Sequence, residues 1–221
     1  MNMLSNKKIN ILIISIAVVL VIGAVAASYF VLTAEDRYMA KMAKQHPQGD
    51  KLLKEYRDAK ARLKKDPKDF GAYFEIGFVK NEFKDYQGAV DAYKKSVELN
   101  PNSIIAYNNM ADDYTKLKKY PEAEAAYMAS LRVAATYTPT FYGLIDLYQN
   151  YYKEKQMMIE RVLEDGLKVS PDDQNLLSLL AGYYRDTNQK DKAIATYEKI
   201  LKLRPDDKVL QDEINTLKSQ Q

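Results

Sequence analysis

From Phe70 onward, large apolar side chains recur in pairs three residues apart: Tyr73 and Ile76, Tyr107 and Met110, Phe141 and Leu144, Leu177 and Leu180. Spacings of three and four place such residues on one stripe of an α-helix, with polar positions around the rest of the circumference. A small residue follows three of these pairs (Gly77, Ala111, Ala181). A second small residue (Ala89, Ala123, Ala193) then falls in a second amphipathic stretch that carries Tyr93, Tyr127 and Tyr197. Pro101, Pro171 and Pro205 close that stretch in three of the four copies, since Pro lacks an amide donor and cannot continue a helix. The pattern predicts helix–turn–helix pairs that recur about every 34 residues and cross closely where Gly or Ala removes side-chain bulk.

Large, small, small, aromatic and Pro in that order, at this period, resembles the tetratricopeptide repeat. The resemblance implies an all-α, right-handed α-solenoid of about four repeats, 70–103, 104–137, 138–173 and 174–207, whose usual role is to dock other proteins. A solenoid needs end caps, because an outer repeat otherwise leaves an apolar face in water. Segment 49–69 is expected to supply one, with Asp50 as its helix cap, Leu52, Leu53, Tyr56, Ala59 and Leu63 on one face, and Pro67 beyond its end. Segment 208–221 is expected to supply the other, with Asp206 or Asp207 capping a helix that buries Leu210, Ile214 and Leu217. Two departures matter. The second unit has Ala135 where the others have Pro, and the third is about two residues longer, a difference most simply placed in 150–156. With that gap Ile145 and Ile159 hold the two positions that are small elsewhere, which predicts spread helices and a local change of curvature.

In the family, the first helix of each repeat lines a concave groove with its second, fifth, ninth and twelfth positions. Carried onto this sequence, those positions are Phe74, Phe78 and Asn81; Ile105, Asn108, Asp112 and Thr115; Tyr142, Asp146 and Gln149; and Asn175, Ser178, Gly182 and Arg185. Amides of this set can pair with the backbone of an extended peptide, and its aromatic faces can hold apolar side chains. The plain alternative for each is packing between neighbouring helices or simple solvation. The fifth positions (Phe74, Asn108, Tyr142, Ser178) offer no cation, so the carboxylate clamp of the family's co-chaperone branch is not matched. Asp112 and Asp146 favour a partner segment that is neutral or basic, and both are expected to be solvated.

Ahead of the repeats, Ile11–Leu32 is a 22-residue run without charge, long enough as a helix (~1.5 Å per residue) to cross a bilayer. It is expected to be an uncleaved signal anchor behind a tail, 1–10, that carries Lys7 and Lys8, followed by a helical linker, 33–48. The expected orientation is a cytoplasmic N-terminus with the repeats exported to a periplasmic or extracellular side. Cleavage near Ala26, giving a secreted protein, and a cytoplasmic repeat domain are the alternatives.

Composition narrows the chemistry. Leaving out Lys7 and Lys8, 31 basic residues face 30 acidic ones, which gives no electrostatic reason to expect nucleic-acid binding. With no Cys, disulfides, thiolate nucleophiles and thiolate metal sites are excluded. The one His, His46, stands in the linker; no phosphate loop or nucleophile motif is present, and the acidic pairs lack metal-loop spacing. No catalytic residue, metal, cofactor or small-molecule substrate is expected. The expected function is a membrane-tethered protein-interaction scaffold. The alternatives are a holdase or biogenesis factor for exported proteins, and a membrane-anchored import receptor with cytosolic repeats.

Overall fold

The structure, a computed structural model, describes residues 34–219 together with Val18 and Ile22. The anchor segment Ile11–Leu32 lies outside the described residues apart from those two, which are helical and exposed. Among the described residues no helix is long and apolar enough to cross a membrane. The chain divides into two compact units, 1–57 and 58–221.

In the first unit, α1 runs over 34–43 and buries Met39 and Ala43. It ends before Pro47, and a turn leads into α2, Gly49–Lys65. Position 49 is glycine because a Cβ there would lie 1.8 Å from the Ala43 carbonyl oxygen. Asp50 sits inside the first turn of α2, not at its cap, where its charge complements the helix N-terminus.

The second unit contains the end of α2 and nine further helices. They are α3 (Phe70–Glu82), α4 (Tyr86–Leu99), α5 (Ile104–Lys116), α6 (Tyr120–Val133), α7 (Thr138–Asp146), α8 (Met158–Val169), α9 (Gln174–Asp186), α10 (Lys190–Leu203) and α11 (Lys208–Ser219). Each packs chiefly on its sequence neighbours, which is the contact pattern of a solenoid. The repeating stripe forms the core: Ile76, Met110, Phe141, Leu144, Leu177 and Leu180 are buried, as are Ala89, Ala111, Ala123, Ala181 and Ala193 at the crossings. Asp69, Asp85, Asp173 and Asp207 accept backbone amides at the starts of α3, α4, α9 and α11, supplying partners for otherwise orphaned donors.

Three of the four turns between paired helices share one device. Lys84, Lys118 and Asn188 adopt φ of 62°, 59° and 58°. The amide after each bonds back to the carbonyl five residues earlier (Asp85 to Lys80, Lys119 to Tyr114, Gln189 to Tyr184), forming a Schellman closure. The third repeat closes differently. A π-helical turn, Leu147–Tyr151, follows α7 directly, and a 3₁₀ turn, Lys153–Lys155, leads to α8. The extra length thus begins to be absorbed at Leu147, ahead of the expected 150–156, which keeps Leu147 and Tyr148 in the core. Ile159 is fully buried while Ile145 is only half-buried, and α7 meets α8 less extensively than α3 meets α4 or α9 meets α10. Spreading the pair relieves the crossing that two isoleucines would overfill.

Polar ties repeat between successive units. The Tyr148 hydroxyl donates to Glu124 at 2.8 Å, with Lys155 3.4 Å from the same carboxylate. One repeat on, Tyr184 donates to Glu160 at 2.9 Å and Lys192 pairs with it at 2.8 Å. Lys192, followed by the Tyr184 hydroxyl, holds the Glu160 carboxyl below its usual range.

Candidate functional site

Consecutive first helices lie side by side, α3 against α5 and α5 against α7. The outward face of this row carries the residues expected to line a groove. Three are large, apolar and exposed: Phe78 (41%), Ile105 (55%) and Tyr142 (59%). Phe74 is half-buried, its ring 5.6 Å from that of Tyr93. Asp146 and Gln149 are exposed; Asn150 donates to Asp146 at 2.6 Å, and Gln149 belongs to the π turn.

Several polar members are engaged inside the fold. The Asn81 amide donates to Asp113, on the neighbouring α5. The Asn108 carbonyl oxygen accepts from the Thr140 hydroxyl at 2.9 Å, and Thr140 also contacts the Ser130 hydroxyl at 2.8 Å. These amides tie first helices together and are not fully available to a peptide. Thr115 bonds back to the Ala111 carbonyl at 3.0 Å, and Ser178 to that of Gln174 at 2.6 Å. Asp112 corrects an expectation. The residue is exposed, yet one carboxylate oxygen accepts from the Tyr127 hydroxyl, so it is not simply solvated. Desolvation raises its pKa, with Asp146 adding to the rise while the Tyr127 bond and Lys116 oppose it.

In the last repeat the polar positions face other partners. Arg185 contacts Asp186 at 2.9 Å and Glu213 of α11 at 3.5 Å, so its charge is shared with the C-terminal helix. Asn175 is exposed, and the space over Gly182 is open.

Between α5 and α7 the face deepens into a cavity of about 370 Å³, where Asn108, Asp112 and Ile105 meet Tyr127, Pro139 and Gly143. Gly143 is required here: a Cβ would stand 2.6 Å from the Tyr127 ring and hydroxyl, which pack closely against α7 at this point. Asn109 and Tyr137 complete the lining. Sequence reasoning missed Tyr127, Pro139 and Gly143 as site residues. Their signal was Tyr127 at the offset of Tyr93, the aromatic that sits against Gly77 and accepts from Asn109 at 3.3 Å.

Asp113 was missed as well. It is 0% exposed, at a register where the neighbouring repeats place buried Val79 and Leu147. One oxygen accepts from Asn81 and the other has no hydrogen-bond partner among the described residues. Burial pushes its pKa up to about 7, against the Asn81 bond and Lys116, with Asp112 and Asp85 adding to the rise. Among the described residues no group of three or more His, Asp or Glu side chains could hold a metal ion.

Residues 70–103 and 175–207 match one model of the tetratricopeptide repeat, and residues 92–125 match another. Tetratricopeptide repeats are therefore present, with the third unit outside these matches. The chain is similar to superkiller complex protein 3 of Homo sapiens, 34% identical over 87 residues, which are 39% of this chain and 6% of that protein. It is also similar to the Hsp70-Hsp90 organizing protein of Triticum aestivum, 30% identical over 155 residues, covering 67% of this chain and 26% of the relative. The chain thus spans only a small part of these relatives. Among solved structures, MamA aligns over 76% of this chain and 90% of its own at TM-score 0.52 and 17% identity. A tetratricopeptide repeat protein from Parabacteroides merdae aligns over 82% and 72% at TM-score 0.53 and 17% identity. At that identity the likeness is one of fold.

Proposed function

We propose that this chain, which carries tetratricopeptide repeats, is a non-enzymatic scaffold that holds a partner protein along the row of its first helices, tethered to a membrane by Ile11–Leu32. The observation that carries the reading is the exposure of Phe78, Ile105 and Tyr142 on successive first helices, beside a cavity of ligand-pocket size. Large apolar side chains held in water on a stable row of helices favour a protein partner over a small polar one. The groove residues are Phe74, Phe78, Asn81, Asn108, Asp112, Thr115, Tyr142, Asp146, Gln149, Ser178 and Arg185. Of these, Phe78, Asp112, Tyr142 and Asp146 are the best placed to touch a partner, which is taken to be a neutral or basic segment. The wheat relative's name speaks of organising Hsp70 and Hsp90. Capture of a C-terminal carboxylate does not follow for this chain, because the fifth positions of its first helices offer no cation and Asp112 and Asp146 would repel a carboxylate.

Tethering is supported by the length and lack of charge of Ile11–Leu32, and export of the repeats by Lys7 and Lys8 before it. An uncleaved anchor leaves the protein in the membrane pellet after alkaline carbonate extraction, with the repeats open to protease added outside. A mature N-terminus at Ala27 would replace the tether by secretion. For the face itself, Phe78→Ser, Ile105→Ser and Tyr142→Ser combined should release the partner that co-purifies with the full chain, leaving helix content unchanged. Retention of that partner would contradict the reading.

A further inference from the structure

We propose that the cavity between α5 and α7 is a socket for one arginine side chain of the partner segment, its guanidinium held between Asp112 and Asp146. This rests on the first-helix face being the docking surface, and adds which side chain that surface selects.

At about 370 Å³ the cavity is at the small end of ligand pockets, so it suits a single long side chain better than a whole metabolite. Ile105 and Pro139 offer apolar wall to a methylene stem, and Asp112 brings charge to the same lining; Asp146 lies just outside it, three residues beyond Gly143 and so on the same side of α7. The electrostatics lack a cation. Asp112 and Asp146 each disfavour ionisation of Tyr127, and Asp146 likewise disfavours ionisation of Asp112. Among the described residues neither carboxylate forms a salt bridge. The nearest compensating charge, Lys116, stands over the Tyr86 ring at 5.2 Å.

One oxygen of each carboxylate is already held, that of Asp112 by the Tyr127 hydroxyl and that of Asp146 by Asn150. The held oxygens anchor the two groups, and the second oxygen of each carboxylate remains able to accept from an incoming donor. A guanidinium, with five donors in a planar fork, has the geometry to serve a carboxylate on each of two adjacent helices. An ammonium is a point charge without that reach. A hard metal ion would want more oxygen ligands than two carboxylates supply.

The test uses the isotopically labelled full chain in detergent micelles, titrated with acetyl-Ala-Arg-Ala-Ala-amide and its lysine and citrulline counterparts, read by amide chemical shifts. The arginine peptide should give saturable shifts at Asn109 and Gly143, with citrulline, which is uncharged, binding about tenfold more weakly or worse. Asp112→Asn with Asp146→Asn should abolish the arginine preference, since Asn at 112 still accepts from Tyr127. Asp146→Asn alone, at an exposed residue whose carboxylate accepts from Asn150, should weaken it and guards against a folding defect. Equal affinity for arginine and citrulline, or a preference that survives both substitutions, overturns the socket; shifts still confined to α5 and α7 would leave the docking face standing. Shifts confined to second helices overturn both, and no saturable shift with any peptide overturns the socket.

Discussion

Asp113→Asn should flatten the pH dependence of stability. In the folded chain the Asp113 carboxyl is sealed between first helices, and its pKa rises from 3.8 to about 7. A folded-state pKa above the unfolded value means that the fold prefers the protonated group. The associated stability is fully present below about pH 3.8 and is lost as pH rises through about 7. At 1.36 kcal/mol per unit the whole span amounts to about 4 kcal/mol, and the part between pH 5 and pH 8 to about 3 kcal/mol. The side chain is 0% exposed, so solvent screening removes little of this. Asp69 and Glu160, which Arg62 and Lys192 hold ionised, act with the opposite sign, but their window lies below pH 5. Urea unfolding of the full chain in micelles, followed by far-UV circular dichroism at pH 5, 6, 7 and 8, reads the difference. Wild type should lose stability steadily across that range while Asp113→Asn stays nearly level. Slope is the readout, because the new amide hydrogens add a pH-independent cost of about 1–3 kcal/mol if they find no partner. Parallel profiles for the two proteins, or a wild type that gains stability toward pH 8, would refute the assignment of a protonated Asp113.

Lys118→Gly should stabilise the second repeat by about 0.5–1 kcal/mol, because glycine adopts the φ of 59° without the Cβ penalty; a thermal melt that falls would contradict this. Tyr148→Phe should cost about 1 kcal/mol by removing the Glu124 bond, and Glu124→Ala more, since it leaves a buried hydroxyl unpaired; hydrogen exchange should localise both losses to α6–α8. Asp146→Lys should leave the melt within about 0.5 kcal/mol of wild type, whereas Asp112→Lys should cost about 1 kcal/mol through the lost Tyr127 bond; equal melts would show that bond to be idle.

The paired helices were legible because a stripe such as Tyr107–Met110–Ala111 has one low-energy reading: a helix that crosses its neighbour closely. Asp207, one of the two caps expected for the last helix, and prolines at 101, 171 and 205 marked ends for equally local reasons, whereas the caps Asp69, Asp85 and Asp173 emerged only from the structure. The left-handed turns were not legible, since Lys84 and Lys118 carry none of the glycine signal that φ above zero usually leaves in a sequence. The π turn was seen only as surplus length. Periodicity counts residues, but the demand to keep Leu147 and Tyr148 in the core decides where the surplus goes. The first-helix positions could be read from the repeat register, but their bonding partners could not. Whether Asn81 or Asn108 waits for a peptide or ties two first helices together depends on the residues one repeat away, Asp113 and Thr140, and a single-helix pattern is blind to them. Asp113 itself was hidden by its type: a carboxylate at a core register looks like a surface residue until its burial is known.

The partner is proposed to sit on the first-helix face. Replacing Tyr142 with a photo-crosslinking phenylalanine in the full chain, expressed in its native cell, tests this most directly, with the same substitution at Leu99 of α4 as the control on the second-helix side. A partner seated on the first helices should give a discrete crosslinked protein at Tyr142 that is absent at Leu99. The same protein crosslinked at Leu99 and missing at Tyr142 would contradict that seating.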